Sequence, residues 1–171
     1  MIIFGKRLSA YVRFSRLFLV LIAAAGITRL ALTLSGEPNS TAKWFSMTAL
    51  MWIAVVYYSI RVHATGFGTY KHLLPVLVLP NLVAQAIAIT GITIAIVTGN
   101  PNIFSAPEYA FGGDGKTWVH VGAHLLFGTT VGSLVPWAFG CGILGLTRKL
   151  TQGSDRKMKS FGVTEKDGNV A

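Results

Sequence analysis

The sequence predicts an all-α membrane protein: four transmembrane helices in a compact antiparallel bundle, N-in/C-in. Three observations carry that expectation. Four apolar stretches, about residues 17–35, 44–63, 73–98 and 118–147, are each long enough at 1.5 Å per residue to cross a hydrocarbon core of roughly 30 Å. Of the 171 residues, 52% are hydrophobic and only 12% charged, with a mean hydropathy of +0.57, too few charges to cover a water-soluble surface. The basic residues, finally, gather on one side of the stretches.

That last pattern sets the orientation. Lys6, Arg7, Arg13 and Arg16 precede the first stretch, and Arg61 and Lys71 lie between the second and third. Arg148, Lys149, Arg156, Lys157, Lys159 and Lys166 follow the fourth. The other side holds Lys43 and Lys116, together with the acids of the short loops, Glu37, Glu108 and Asp114. Lys and Arg accumulate in cytoplasmic loops, so both termini are expected in the cytoplasm, and the compact loops suit a bacterial cytoplasmic (inner) membrane. A net charge of +9 would also suit nucleic acid, but charges that flank apolar spans form no binding stripe. They indicate the lipid bilayer and its anionic headgroups instead.

Taken in order, residues 1–16 form a cytoplasmic basic N-terminal segment. In the first stretch Ala23-Ala24-Ala25 resembles a signal cleavage site, but the apolar run before it is shorter than a signal core, and an uncleaved helix is expected. Gly26, Arg29 and Thr33 share one side of that helix. Residues 35–43 make an outer turn with Gly36, Pro38 and Asn39. Trp44 and Trp118 mark the outer interface, and Tyr11 and Tyr70 the inner one. The third stretch repeats Asn81, Ala84, Gln85, Ala88, Gly91 and Ala95 at helical spacing. Small and polar residues mark helix contacts in lipid, so this face is expected to pack. Pro75 suits a first turn, whereas Pro80 predicts a kink. The outer loop, 99–117, is dense in turn residues and carries Phe104, Tyr109 and Phe111. In the fourth stretch Gly128 and Gly132 form a GxxxG pair one turn beyond His124, and Pro136 predicts a second kink. The single cysteine, Cys141, allows no disulfide within the chain. Residues 150–171 read as a polar, mobile, basic cytoplasmic tail.

Arg29 is the one permanently charged residue well inside a stretch, about 9 Å below its outer edge. An unpaired charge at a helix centre costs about 3 kcal/mol on insertion scales. Arg29 either snorkels outward toward Glu37 or faces the interior, paired with an acid of the outer loop or with a bound anion. His120 and His124, spaced i,i+4, share a helix face at Arg29's depth. Arg29, His120 and His124 are therefore the candidate ligand- or cofactor-binding set. Two imidazoles hold a catalytic zinc only with a third ligand, for which Asp114 and Glu108 are the available acids. A bis-histidine haem is poorly served, because His63 and His72 lie at the opposite boundary. No cofactor is strongly implied. Asn81 and Gln85 lie near mid-membrane with Thr129, Thr130 and Ser133, where they either hydrogen-bond between helices or line a path for a small solute. No acid lies inside a stretch, which argues against a carboxylate proton relay. The tract Gly112-Gly113-Asp114-Gly115-Lys116 lacks the Walker spacing and reads as a turn.

No catalytic constellation is present. The sequence favours a structural or interaction component of a membrane complex, a homo-oligomer or part of a larger assembly held through its apolar faces and the GxxxG ridge. The alternatives are a cofactor- or ligand-binding, redox or enzyme-like membrane protein with an outer-leaflet site, and a small-solute channel or transporter using Asn81 and Gln85.

Overall fold

The computed structural model describes residues 1–110 and 112–166, with side chains up to Gly153. The chain opens as a hairpin of β1 (Ile2–Ile3) and β2 (Lys6–Arg7), followed at once by α1 (Leu8–Leu34). Phe4 and Gly5 turn the hairpin with φ of 48° and 82°, the left-handed pair whose twist matches two antiparallel strands. A short α2 (Asn39–Ala42) leads into α3 (Met47–Ala64), whose first turn is capped by Ser46 Oγ accepting from the Ala49 N–H. Next comes α4 (Tyr70–Thr98), capped at its start by Thr69 and His72 and ended by Gly99 in the left-handed conformation. Two 3-10 turns, Ile103–Ser105 and Pro107–Tyr109, shape the following loop. The last helix is built from α5 (Trp118–Ala123), a π-helical turn over His124–Gly128, and α6 (Thr129–Lys166).

Four helical units, Leu8–Leu34, Asn39–Ala64, Tyr70–Thr98 and Trp118–Gly153, are long and apolar enough to cross a membrane. Their contacts are uneven. α1 packs chiefly on α4, α6 packs on both α3 and α4, and α3 touches α1 and α4 as well. At the α1–α3 contact the buried Tyr58 hydroxyl donates to the Ser15 carbonyl (2.7 Å) and accepts from the Phe18 N–H (3.3 Å). A polar group buried this deeply needs such partners, and here they also fix the helix register. Large apolar side chains, among them Val20, Ile27, Ile53, Leu126, Phe127 and Phe139, point away from the core.

Several boundaries differ from the expected ones. α1 begins at Leu8, so Arg13 and Arg16 ride on the helix instead of preceding it. Helix also continues through Lys166, across most of the segment expected to be a tail, since extending an existing helix avoids the cost of nucleation. Residues 167–171 of that segment lie outside the described residues. Tyr11 is fully buried, its hydroxyl donating to the Ile3 carbonyl at 2.9 Å, so it belongs to the core and not to an interfacial belt. The helices α4 and α6 run on through Pro75, Pro80 and Pro136.

Candidate functional site

A cavity of about 420 Å³ lies among α1, α3, α4 and the last helix, beneath the loop that follows α4. That is within the roughly 300–1,000 Å³ of small-molecule sites. Arg29 comes from α1, Met47, Thr48, Met51 and Trp52 from α3, Asn81, Ala84, Gln85 and Ala88 from α4, and His124, Val131, Gly132, Val135 and Pro136 from the last helix. Phe104 and Tyr109 reach in from the loop. Trp52, Val131 and Val135 line the cavity and are also exposed outside, so it opens sideways between α3 and α6.

Arg29 is buried within the bundle. Only 7% of it is exposed, and its buried Nε has no hydrogen-bond partner among the described residues. The guanidinium carbon lies 5.0 Å from the Tyr109 ring centre and 5.4 Å from that of Phe104, within cation–π range of both. Among the described residues no acid lines the cavity. The charge is therefore held by aromatic faces and left open toward the cavity.

The loop reaches Arg29 because it is pinned to α4. Asn102 Nδ2 donates to the Gly91 carbonyl at 2.6 Å, and Asn102 Oδ1 accepts from the Phe104 N–H at 3.0 Å. Phe104 then packs on Gly91, where an added Cβ would meet its ring. Ile103, Phe104 and Ser105 are buried in consequence. Gly115 fits so closely against the Ser105 backbone that no side chain has room there, and Asp114 Oδ1 accepts from the Lys116 N–H at 2.9 Å. The glycine tract is thus a turn. Phe111 lies outside the described residues.

Behind Arg29 the cavity wall carries a directed hydrogen-bond chain. Asn81 Nδ2 donates to the Gly128 carbonyl and to Ser133 Oγ, both at 2.9 Å. Because a carbonyl can only accept, the amide nitrogen of Asn81 must face it, which leaves Asn81 Oδ1 to accept from Gln85 Nε2 at 3.2 Å. Gln85 Oε1 consequently faces His124 Nδ1 at 2.7 Å, and Nδ1 carries the proton that it donates. In the neutral ring Nε2 is then the nitrogen with a free lone pair. The Gly128 carbonyl that accepts from Asn81 closes a π turn over His124–Gly128. Thr129 and Thr130 hydroxyls donate to the Leu125 and Leu126 carbonyls of the same turn.

The structure brings Arg29, Asn81, Gln85 and His124 to one cavity and leaves His120 out of its wall. His120 is buried, its Nδ1 donating to the Gly115 carbonyl at 2.9 Å while Nε2 has no partner among the described residues. The two imidazoles stand 5.0 Å apart between ring centres. Among the described residues no group of three His, Cys, Asp or Glu side chains is placed to hold a metal, so His120, His124 and Asp114 do not converge as a ligand set. Gly128 and Gly132 face Gln85 and Asn81, and Gly91 faces Phe104. The GxxxG ridge is therefore occupied within the chain. The aromatics of the turn-rich loop were visible in the sequence, but the Asn102–Gly91 tie that sets Phe104 beside Arg29 was not.

Comparison with known proteins gave no match to a family model, a curated protein or a solved structure. What the fold and the site define is a class: a helical protein with four membrane-length apolar helices around a largely apolar cavity headed by one buried cation.

Proposed function

We propose that the four helices cross a membrane with both termini on the side of the basic segments, and that the cavity binds a membrane-dissolved amphiphile. Its head would carry an anionic or carbonyl oxygen, and its apolar tail would leave between α3 and α6. The observation that carries this reading is the Arg29 guanidinium, 7% exposed, whose Nε has no partner and whose cavity wall holds no acid among the described residues. A buried cation without a counter-charge costs several kcal/mol, and a ligand oxygen would offset that cost.

The rest of the wall sorts the ligand's parts. Arg29 and the free His124 nitrogen recognise the head, the first as donor and the second as acceptor of a ligand hydroxyl. Met47, Met51, Trp52, Val131 and Val135 contact carbon. The lateral opening faces lipid in this orientation, so an amphiphile reaches the site without crossing water. This reading displaces the purely structural role, which the internal use of the GxxxG ridge weakens. A solute path through Asn81 and Gln85 also loses support, because their amides are engaged with neighbouring groups.

The test is extraction in mild detergent followed by mass spectrometry of bound small molecules. A near-stoichiometric amphiphile should accompany the native chain and be depleted from Arg29→Gln. Equal lipid content in the two preparations would refute the site. Orientation is checked separately in a Cys141→Ser background: Glu37→Cys should label with an impermeant thiol reagent from the non-cytoplasmic face, and Thr65→Cys should not.

A further inference from the structure

A second cavity, about 520 Å³, lies at the other end of α1, about 22–30 Å along the helix from Arg29. Four cations from three elements line it: Lys6 and Arg7 of β2, Arg13 of α1 and Arg61 near the end of α3. No acid lines it.

These cations are organised beyond what orientation in a membrane requires. Topology depends on how many Lys and Arg a segment holds, not on their convergence. Here the hairpin is tied down at three points. The Leu8 N–H donates to the Met1 carbonyl at 3.1 Å, the Tyr11 hydroxyl binds the Ile3 carbonyl, and His72 Nε2 lies 3.1 Å from the Phe4 carbonyl. His72 Nδ1 accepts from the Thr69 N–H, so Nε2 is the protonated nitrogen that donates. That anchoring sets β2 beside the cavity.

Aromatic rings then hold two of the charges in place. Lys6 Nζ lies 4.9 Å from the Phe67 ring centre, and the Arg61 guanidinium lies 4.9 Å from that of Phe14 while Nη1 donates to the Tyr57 hydroxyl at 2.8 Å. The first turn of α1, which holds no acid and is capped by no side chain, adds Ser9 and Ala10 to the wall and the positive end of the helix dipole to the field.

We infer that this cavity is a binding site for a phosphate group, presented by an anionic phospholipid or by a soluble phosphate compound. Several positive donors around a concave space match a multiply charged tetrahedral anion, and Arg pairs with its oxygens through two parallel hydrogen bonds. A carboxylate would leave most of the four charges uncompensated. The site stands independently of the Arg29 cavity, so failure of either leaves the other intact.

The experiment uses the full chain in nanodiscs and follows its thermal unfolding. One arm adds pyrophosphate to phosphatidylcholine nanodiscs, and the other replaces part of the phosphatidylcholine by phosphatidic acid. Arg13→Gln and Lys6→Gln remove cavity charges, whereas Arg16→Gln removes the same charge from α1 outside the cavity. At least one of the two anions should raise the unfolding temperature of the native chain and of Arg16→Gln. Each cavity variant should need about tenfold more anion or beyond for the same shift. A response to pyrophosphate identifies a soluble phosphate, and a response to phosphatidic acid alone identifies a lipid headgroup. Equal losses in Arg13→Gln, Lys6→Gln and Arg16→Gln, or no anion response in the native chain, would overturn the inference.

Discussion

Replacing Arg29 by methionine separates a binding cation from a structural one, because the two roles predict opposite signs. In the ligand-free protein the substitution removes two cation–π contacts, each about 0.5–2 kcal/mol. It also removes a buried charge whose Nε has no partner, and relief of that desolvation is worth several kcal/mol. A flexible apolar side chain fills much of the same space, so no large void opens. The balance is a stability that stays level or rises. Ligand binding moves the other way: losing one charge-assisted hydrogen bond costs about 1.5–3 kcal/mol, or about 10- to 150-fold in affinity. The assay is tryptophan-fluorescence melting of delipidated and lipid-replete protein, alongside quantification of the copurifying amphiphile. Arg29→Met should melt at or above the native temperature when delipidated and lose the stabilisation that ligand confers. A variant that melts well below the native chain yet keeps its bound ligand would refute the reasoning, since Arg29 would then be holding the helices and not the guest.

The same geometry makes further predictions. Gly128→Ala places a Cβ on the Gln85 amide and should cost about 1–3 kcal/mol, read as a lowered melting temperature, while Gly142→Ala, with open space around it, should be neutral or slightly stabilising. Gln85→Leu takes away the acceptor of His124 Nδ1, so nitrogen NMR of the imidazole should show the Nδ1–H tautomer giving way to a mixture. Phe104→Ala should cost about 3 kcal/mol or more and speed ligand release, because the ring both fills the space over Gly91 and covers Arg29.

Much of the scaffold was legible because it follows from local quantities. Span lengths follow from runs of apolar residues. The inward face of α4 showed in the spacing of Asn81, Ala88, Gly91 and Ala95, all of which are buried. The limits of helix were less legible. Whether residues after Lys149 continue a helix depends on a neighbour already being helical, which composition does not report. The candidate site was legible in part. Arg29 and His124 stood out by chemistry and depth, but the sequence joined them to His120, which shares a helix face with His124 while its own Nδ1 turns to the Gly115 carbonyl.

By itself, then, the sequence determined four membrane-length helices, the side on which the basic residues gather, and a few polar groups placed where polar groups are costly. These depend on neighbours along the chain and on the price of burying charge. Tertiary structure decided what those groups do. It turned Arg29 toward a cavity under Phe104 and Tyr109 and ran a hydrogen-bond chain from Gly128 to His124. It also drew Lys6, Arg7, Arg13 and Arg61 around a second cavity. Each of these arrangements joins residues far apart in sequence. Their meeting rests on an asparagine amide bonded to the Gly128 carbonyl, an asparagine tied to Gly91 and a hairpin anchored on α1, and such contacts exist only once the helices have packed.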